Sequence, residues 1–384
     1  MRFENQLKTF LRILDTYQED IPLSKFLSGF FRANRQMGSN DRRAASRLIY
    51  SYFRLGKASF QLPAEERLFL SEFLCGDEEN PFLEYFKPEL HQKLMLPLNE
   101  KIHFLDSQDY DFKLDDVFPF HPHLSEGIDK GDFLRSFFIQ PDVFIRIHPG
   151  KEKFVKAKLE AAEVEFLEES ETAVRLPAAV KLDQIFANER PFEVQDISSQ
   201  ETGKFFEAVP GDYWWDCCAA SGGKSLLLAH QEPDVELFVS DIRESVLNNL
   251  DERFAAAGIG NYQKKILDLT KNNLSNDDQF DGVIFDAPCS GSGTWGRTPE
   301  QISQFREEKI SAFQHLQRSI AKNVIPYLKP GKPLVYITCS AFKEENEENV
   351  GFFMNELGLK LEKQEILRGY NRKADTMFMA RLIK

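Results

Sequence analysis

Two short stretches carry side chains able to do covalent chemistry. FDAPCSGSGTWGR occupies residues 285–297, and YITCS occupies 336–340. The chain holds five cysteines. Cys289 follows a proline at the mouth of a Gly/Ser loop, and Cys339 closes an apolar run. Either they are two small buried residues, since buried cysteine is common and usually inert, or they work as a pair. A thiol reacts through its thiolate, which a polar strand-end setting favours over an apolar core. Four of the five cysteines fall at the C-termini of predicted strands. CxxC-type spacing is absent, so no zinc site is expected.

A third stretch, Asp216-Cys217-Cys218-Ala219-Ala220-Ser221-Gly222-Gly223-Lys224, ends a predicted strand in small residues. Such a loop lets a ligand approach backbone N–H groups at a helix start. A phosphate-binding loop needs G-x-x-x-x-G-K-[ST], and Cys218 stands where its first glycine belongs. A nucleoside without phosphates fits better. Asp241 ends the next predicted strand, 18 residues after Gly223, where an acid accepts from ribose hydroxyls. Asp268 ends the third and is placed to read an adenine amino group. Asp286 ends the fourth, just before Cys289. Each acid also suits a helix N-cap, but successive strand ends facing one glycine loop favour a nucleoside pocket.

These residues must be positioned by strands that share an edge. From about residue 205 strand, loop and helix alternate: YWWDCC then GGKSLLLAHQ, ELFVSDI then ESVLNNLDERFAAAG, KKILDLT, DGVIFDAP, the helix ISAFQHLQRSIAKNVIPYL, PLVYITCS, and a last strand ADTMFMARLIK. Alternating apolar strands and helices predict an α/β fold with a doubly wound, mostly parallel sheet. Ligands in such sheets bind beyond the carboxyl ends of the strands. Residues 139–200 read as a small α+β subdomain, and 201–384 as the catalytic domain. Residues 1–138 read as helices, with LKTFLRILDTY near a 3.6 period and Pro22 and Pro63 opening later helices; the acidic, Phe- and Pro-rich part of 76–120 gives the weakest pattern.

The 384 residues are 42% hydrophobic and 28% charged, an ordinary soluble composition. No long apolar run predicts a membrane span, and MRFENQLKTFLRILDTYQED does not read as a signal peptide. A cytoplasmic monomer with reduced thiols is expected. The net charge of −13 argues against a nucleic-acid partner until its distribution is read. Residues 1–60 hold 11 Lys/Arg against 5 Asp/Glu, a local +6, whereas 61–140 hold 7 against 17. A basic head on an acidic body can hold a polyanion locally; the alternative is a solvated basic helix face.

CAASGGKS, DAPCSGSG and YITCS, with QDISSQ before them and ENEENV after, resemble the motifs of the Sun/Fmu-type RNA (cytosine-5)-methyltransferases. The basic helical head resembles the NusB-like RNA-binding domain fused to bacterial rRNA members. The resemblance implies a Rossmann-like class I methyltransferase domain. It implies S-adenosylmethionine bound by Cys218, Ala219, Ala220, Ser221, Gly222, Gly223, Lys224, Asp241, Asp268 and Asp286. It further implies Cys339 as the nucleophile, Cys289 as the residue that helps release product, and Asp286 beside N3 of the cytosine. DNA cytosine-5 enzymes use the Pro-Cys cysteine and lack the Thr-Cys one, so having both points to RNA. Small-subunit rRNA is the favoured substrate, tRNA its rival, and a non-catalytic assembly factor the alternative from another class. The chain departs from the family pattern at Ser221 (usually proline), at Arg190-Pro191 (usually a glycine nearby), at His148 (often asparagine) and in its last strand. Trp295 and Arg297 suit either RNA stacking or an apolar cap with a surface charge. His121 and His123, flanking a proline, read as a structural turn rather than a metal site.

Overall fold

The computed structural model describes residues 2–108, 110–187, 189–271, 274 and 279–384. It divides into two compact units. The first comprises Met1–Pro122, Asp129–Gln140 and Thr294–Arg306; the second comprises His123–Ile128, Pro141–Gly293 and Glu307–Lys384.

The first unit is helical. Its longer helices are Arg2–Thr16, Leu23–Ala33, Ser39–Arg54, Ala64–Cys75 and Leu98–Ser107. Pro22 and Pro63 stand directly before two of them, as a residue with fixed φ suits a helix start. Phe10, Ile13, Leu48, Phe73 and Leu74 are buried. Buried Arg67 is satisfied locally, donating to the Tyr52 hydroxyl (2.6 Å) and the Gly56 carbonyl (2.7 Å). Trp295 is 1% exposed and packs on Phe118 and Phe305, with ring centroids 5.7 and 4.9 Å away. The stacking role weighed for Trp295 is thereby corrected, because its ring is spent on an apolar core. The segment after the Cys289 loop thus belongs to the helical unit.

The second unit holds two sheets. Strands β1 (Val143–Ile147), β2 (Leu167–Glu168), β3 (Ala173–Leu176) and β4 (Phe192–Val194) form an antiparallel sheet in the order β2-β3-β1-β4. Helix Glu152–Ala161 covers it with Val155 and Leu159 against Ile145, Ile147 and Val174. Strands β5 (Tyr213–Asp216), β6 (Glu236–Asp241), β7 (Tyr262–Ile266), β8 (Gly282–Asp286), β9 (Pro333–Thr338), β10 (Lys360–Arg368) and β11 (Thr376–Ile383) form the larger sheet, ordered β10-β11-β9-β8-β5-β6-β7. β5 to β9 run parallel, and β11 runs antiparallel to both neighbours. β10 was not expected. Its residues are mostly polar and half exposed, and its place depends on pairing with β11.

Both faces of this sheet are buried, so successive strand residues enter opposite cores. Trp214, Ile284 and Val335 join one cluster with Leu226 and Phe254. Trp215, Phe285 and Tyr336 join the other with Phe353 and Phe378. The strand order reverses between β5 and β8, which places a topological switch point at Asp216 and Asp286. Packing there is close: a Cβ on Gly282 would lie 2.3 Å from the Trp214 ring. Gly282→Ala is expected to lower the unfolding free energy by about 1–3 kcal/mol through overpacking, measured by urea denaturation with the circular-dichroism signal as readout.

Candidate active site

The loop after β5 turns sharply enough to need left-handed backbone at Ala220 (φ 47°) and Gly222 (φ 81°). Any Cβ on Gly222 would come within 2.7 Å of Phe254 and 2.9 Å of Leu250. The loop is tied across the sheet: Cys217 N–H donates to Ile284 O (3.0 Å), Ala219 N–H to Ser240 O (2.9 Å), and Ala220 N–H to Asp241 Oδ2 (3.0 Å). Gly223 opens the helix Gly223–Gln231, and a Cβ there would meet nothing nearer than 4.0 Å. The loop's open side therefore lies at Gly223, with half-buried Cys218 and Ser221 beside it.

Ser221, where the resemblance led to an expectation of proline, is held by a side chain. Arg253 donates to its carbonyl and its hydroxyl, both at 2.7 Å. Arg253 also donates to Glu193 Oε2 at 2.9 and 2.6 Å. Glu193 in turn bonds His148 Nε2 at 3.1 Å. Two departures from the family pattern, Ser221 and His148, thus sit at the ends of one chain of contacts. Of its members only Glu193 lies within a strand, β4.

Lys224 is 6% exposed and donates to Ser199 Oγ (2.9 Å) and Asp286 Oδ2 (3.0 Å). This joins the loop to the end of β8 and to the QDISSQ segment. Asp241 accepts from Ala220 N–H and pairs with Arg243 at 3.0 Å. Asp268 lies two residues beyond β7 and is engaged by its own turn, accepting from Thr270 N–H (3.1 Å), Thr270 Oγ1 (2.6 Å) and Lys271 (2.8 Å). Those bonds hold its carboxyl down near about 2 and are of the capping type.

Asp216 was not singled out from the sequence. It is 1% exposed; Oδ2 accepts from Ser225, and Oδ1 has no partner. Burial pushes its carboxyl up to about 7, with the Ser225 bond opposing.

Beyond β8 and β9 the two cysteines meet. Cys289 Sγ and Cys339 Sγ are 3.3 Å apart. Hydrogen bonding to Cys339, then burial, raises the Cys289 thiol well above its ordinary value, and either sulfur can donate across the pair. Gly293 N–H donates to Cys339 O at 2.9 Å, and a Cβ there would meet Thr376 O at 2.0 Å. Only glycine permits that approach.

Glu345, Asn346 and Asn349 of ENEENV are fully buried beneath these loops. Asn346 accepts from Thr338 Oγ1 and donates to Ser340 O (2.9 Å). Asn349 donates to Gln317 Oε1 at 2.6 Å. The segment's register after YITCS is visible in the sequence, but its inward direction is not. His123 bonds Glu344 (2.5 Å) and Glu307 (2.9 Å). Among the described residues no three metal-ligating side chains converge, and no helix is long and apolar enough to cross a membrane.

Residues 204–383 match the family model described as 16S rRNA methyltransferase RsmB/F. The ribosomal RNA small subunit methyltransferase B of Enterobacter sp. (strain 638) is 34% identical over 161 residues, covering 42% of this chain and 38% of that protein. Its counterpart from Salmonella newport (strain SL254) is 33% identical over 223 residues, 55% of this chain and 52% of that protein. The matches thus span about half or less of the curated relatives' length. Among solved structures, the crystal structure of PH0851 aligns with a TM-score of 0.72 at 23% identity, over 94% of this chain and 95% of that one. NSun6 from Pyrococcus horikoshii with SFG aligns at 0.59 and 17% identity, over 69% and 97%. These likenesses establish the fold as Rossmann-like, doubly wound and mostly parallel. Over residues 204–383 the family match agrees with the resemblance read from CAASGGKS, DAPCSGSG and YITCS; the helical head lies outside it.

The raised Asp216 carboxyl has a testable consequence. An acid whose folded pKa lies above its unfolded value costs stability as pH rises from the unfolded value to the folded one. Asp216→Asn is expected to unfold like wild type at pH 4 and to gain on it up to about pH 7, by at most about 4 kcal/mol, as read from urea midpoints across that range.

Proposed function

We propose that this chain methylates C5 of a cytosine in RNA, with small-subunit rRNA as its substrate and S-adenosylmethionine as its cofactor. The observation that carries the reading is the 3.3 Å pair of thiols at the ends of neighbouring strands. The family match and the printed names of the curated relatives support the rRNA substrate.

The strand-end loop suits the cofactor by its chemistry. Asp241, Asp268 and Asp286 stand at or just beyond the ends of β6, β7 and β8, and such a set repels phosphates. It suits ribose hydroxyls and a cationic ligand, and S-adenosylmethionine carries a ribose diol, a sulfonium and an ammonium group. The unpartnered Oδ1 of Asp216 at the loop's root is a further acceptor. Residues 218–224 with Asp241, Asp268 and Asp286 would hold it, and when bound it supplies an electrophilic methyl group.

The chain's own residues make the cytosine reactive. C5 of cytosine is a poor nucleophile. Cys339 adds as thiolate to C6 and turns C5 into an enamine carbon. Asp286, beside the ring, supplies the proton that N3 needs as charge builds there. Lys224, 3.0 Å from Asp286, orients that carboxyl. Once C5 has been methylated, its proton leaves to solvent, the electrons of that C–H bond restore C5=C6, the C6–S bond breaks with Cys339 leaving as thiolate, and N3 returns its proton to Asp286; Cys289, 3.3 Å from the departing sulfur, assists the release. The target base must leave its stack to reach this recess.

The helical residues 1–138 act in this reading as the RNA-binding domain of a monomeric cytoplasmic enzyme, and 139–200 as a small α+β subdomain. A groove of about 490 Å³ lined by Arg12, Lys25, Phe26, Phe30 and Asn34 offers charge and stacking faces together, with Arg32, Arg35 and Arg43 also exposed. Such surfaces hold phosphates and unstacked bases.

The test is methyl transfer from labelled S-adenosylmethionine to total RNA, with bisulfite sequencing. One 5-methylcytosine in small-subunit rRNA is expected. Cys339→Ala should fall to background, and Cys289→Ala should accumulate a covalent protein–RNA adduct. Methylation confined to tRNA would move the substrate, and activity indifferent to Cys339 would sink the nucleophile assignment.

A further inference from the structure

The two cysteines arrive on separate loops, 50 residues apart in sequence. The strand ladder ends before either thiol; beyond it the loops meet through Gly293 N–H to Cys339 O (2.9 Å) and Ala341 N–H to Ser292 Oγ (2.8 Å). Glu345, from a third segment, bonds the residue directly after each cysteine. Glu345 Oε2 accepts from Ser290 N–H (3.0 Å), directly after Cys289. Its Oε1 accepts from Ser340 Oγ (2.7 Å), directly after Cys339. Oε2 also accepts from Gln317 Nε2 (2.8 Å), and the same Gln317 nitrogen donates to Pro288 O (3.0 Å), directly before Cys289. The Ser290 and Ser340 hydroxyls lie 3.1 Å apart.

Glu345 has no exposure to solvent, and burying a carboxylate is costly unless it is fully bonded. A serine or glutamine would satisfy either loop alone at lower cost. The side chain ends in two polar atoms, and each reaches a different loop. The Tyr336 hydroxyl donates to the Glu345 carbonyl at 2.5 Å, which fixes the residue from behind.

We infer that Glu345 is the positioning residue that holds Cys289 within reach of Cys339, and that its role is in product release rather than in cofactor binding. This rests on the assignment of the two cysteines proposed above. Without the clamp, Cys339 still ends β9 and still adds to the base. Cys289, on the Gly/Ser loop, drifts from it, and the covalent intermediate persists.

The test has an arm that needs no RNA. Diamide takes two hydrogens from a pair of adjacent thiols, forming one S–S bond and a hydrazine. In the full-length wild type, Cys289 and Cys339 should cross-link readily, seen as a loss of two hydrogens in the linked peptides. Glu345→Ala should slow that reaction at least tenfold and leave the affinity for S-adenosylmethionine within twofold. It should also build up a protein–RNA adduct on denaturing gels, as Cys289→Ala does, and the double variant should add nothing further. Glu345→Gln, which keeps one acceptor and can donate to Ser340, should restore most of both. If Glu345→Ala does not fold, Ser340→Ala removes one arm of the clamp and should slow cross-linking several-fold. Cross-linking and turnover unchanged in Glu345→Ala or Ser340→Ala would overturn the inference, as would cofactor affinity lost in step with activity. Absence of any adduct even in Cys289→Ala would instead overturn the reaction, leaving the diamide arm to judge the clamp.

Discussion

The register between β8 and β9 is the constraint on which the site depends. The two strands run parallel, with Asp286 opposite Ile337. Cys289 comes three residues after the first and Cys339 two after the second. A slip of one residue along the pair would move one thiol by about 3.3 Å and turn its neighbours to the opposite face. The two cores prevent that slip, because Phe285 and Tyr336 belong to one and Ile284 and Val335 to the other. Packing on both faces thus sets the distance between two sulfur atoms just beyond the strand ends, with Cys339 packed against one of the cores.

The cofactor loop is governed by a different balance. Its backbone visits left-handed conformations at Ala220 and Gly222, which is unfavourable for a non-glycine residue. Backbone bonds to β6 and β8 offset part of that cost, and Asp241 accepts from Ala220 itself. The rest comes from helix Glu244–Ala256, which presents Leu250, Arg253 and Phe254 to the loop. At Ser221 the loop is held by a guanidinium that is itself held by Glu193. The small antiparallel sheet therefore supports the loop through Glu193 of β4.

Below the thiols, polar side chains replace a hydrophobic floor. Glu345, Asn346, Asn349, Gln317 and Tyr336 are all buried and bonded to one another or to backbone. A network of this kind is stable only when its members are satisfied, and then it admits few alternative arrangements. That suits loops rich in glycine and serine, which would otherwise sample many conformations.

The sequence alone marked out the candidate reactive residues and most of the order of elements. Cys289 after proline, Cys339 after threonine, the glycine loop and the strand-end acids are local patterns, as are alternating apolar strands and helices. Their types and spacing limit what they can do before any contact is known. Tertiary structure decided the rest. It brought the two sulfurs together, turned Asp268 onto its own turn, and buried Trp295 among phenylalanines of the helical unit. It created β10 by pairing, since a polar half-exposed stretch has no apolar alternation to announce it. It also chose Asp216, Arg253 and Glu345, whose roles depend on partners 9 to 60 residues away. Local propensity acts over a few residues, whereas burial and hydrogen bonding act between residues that only the folded chain makes neighbours.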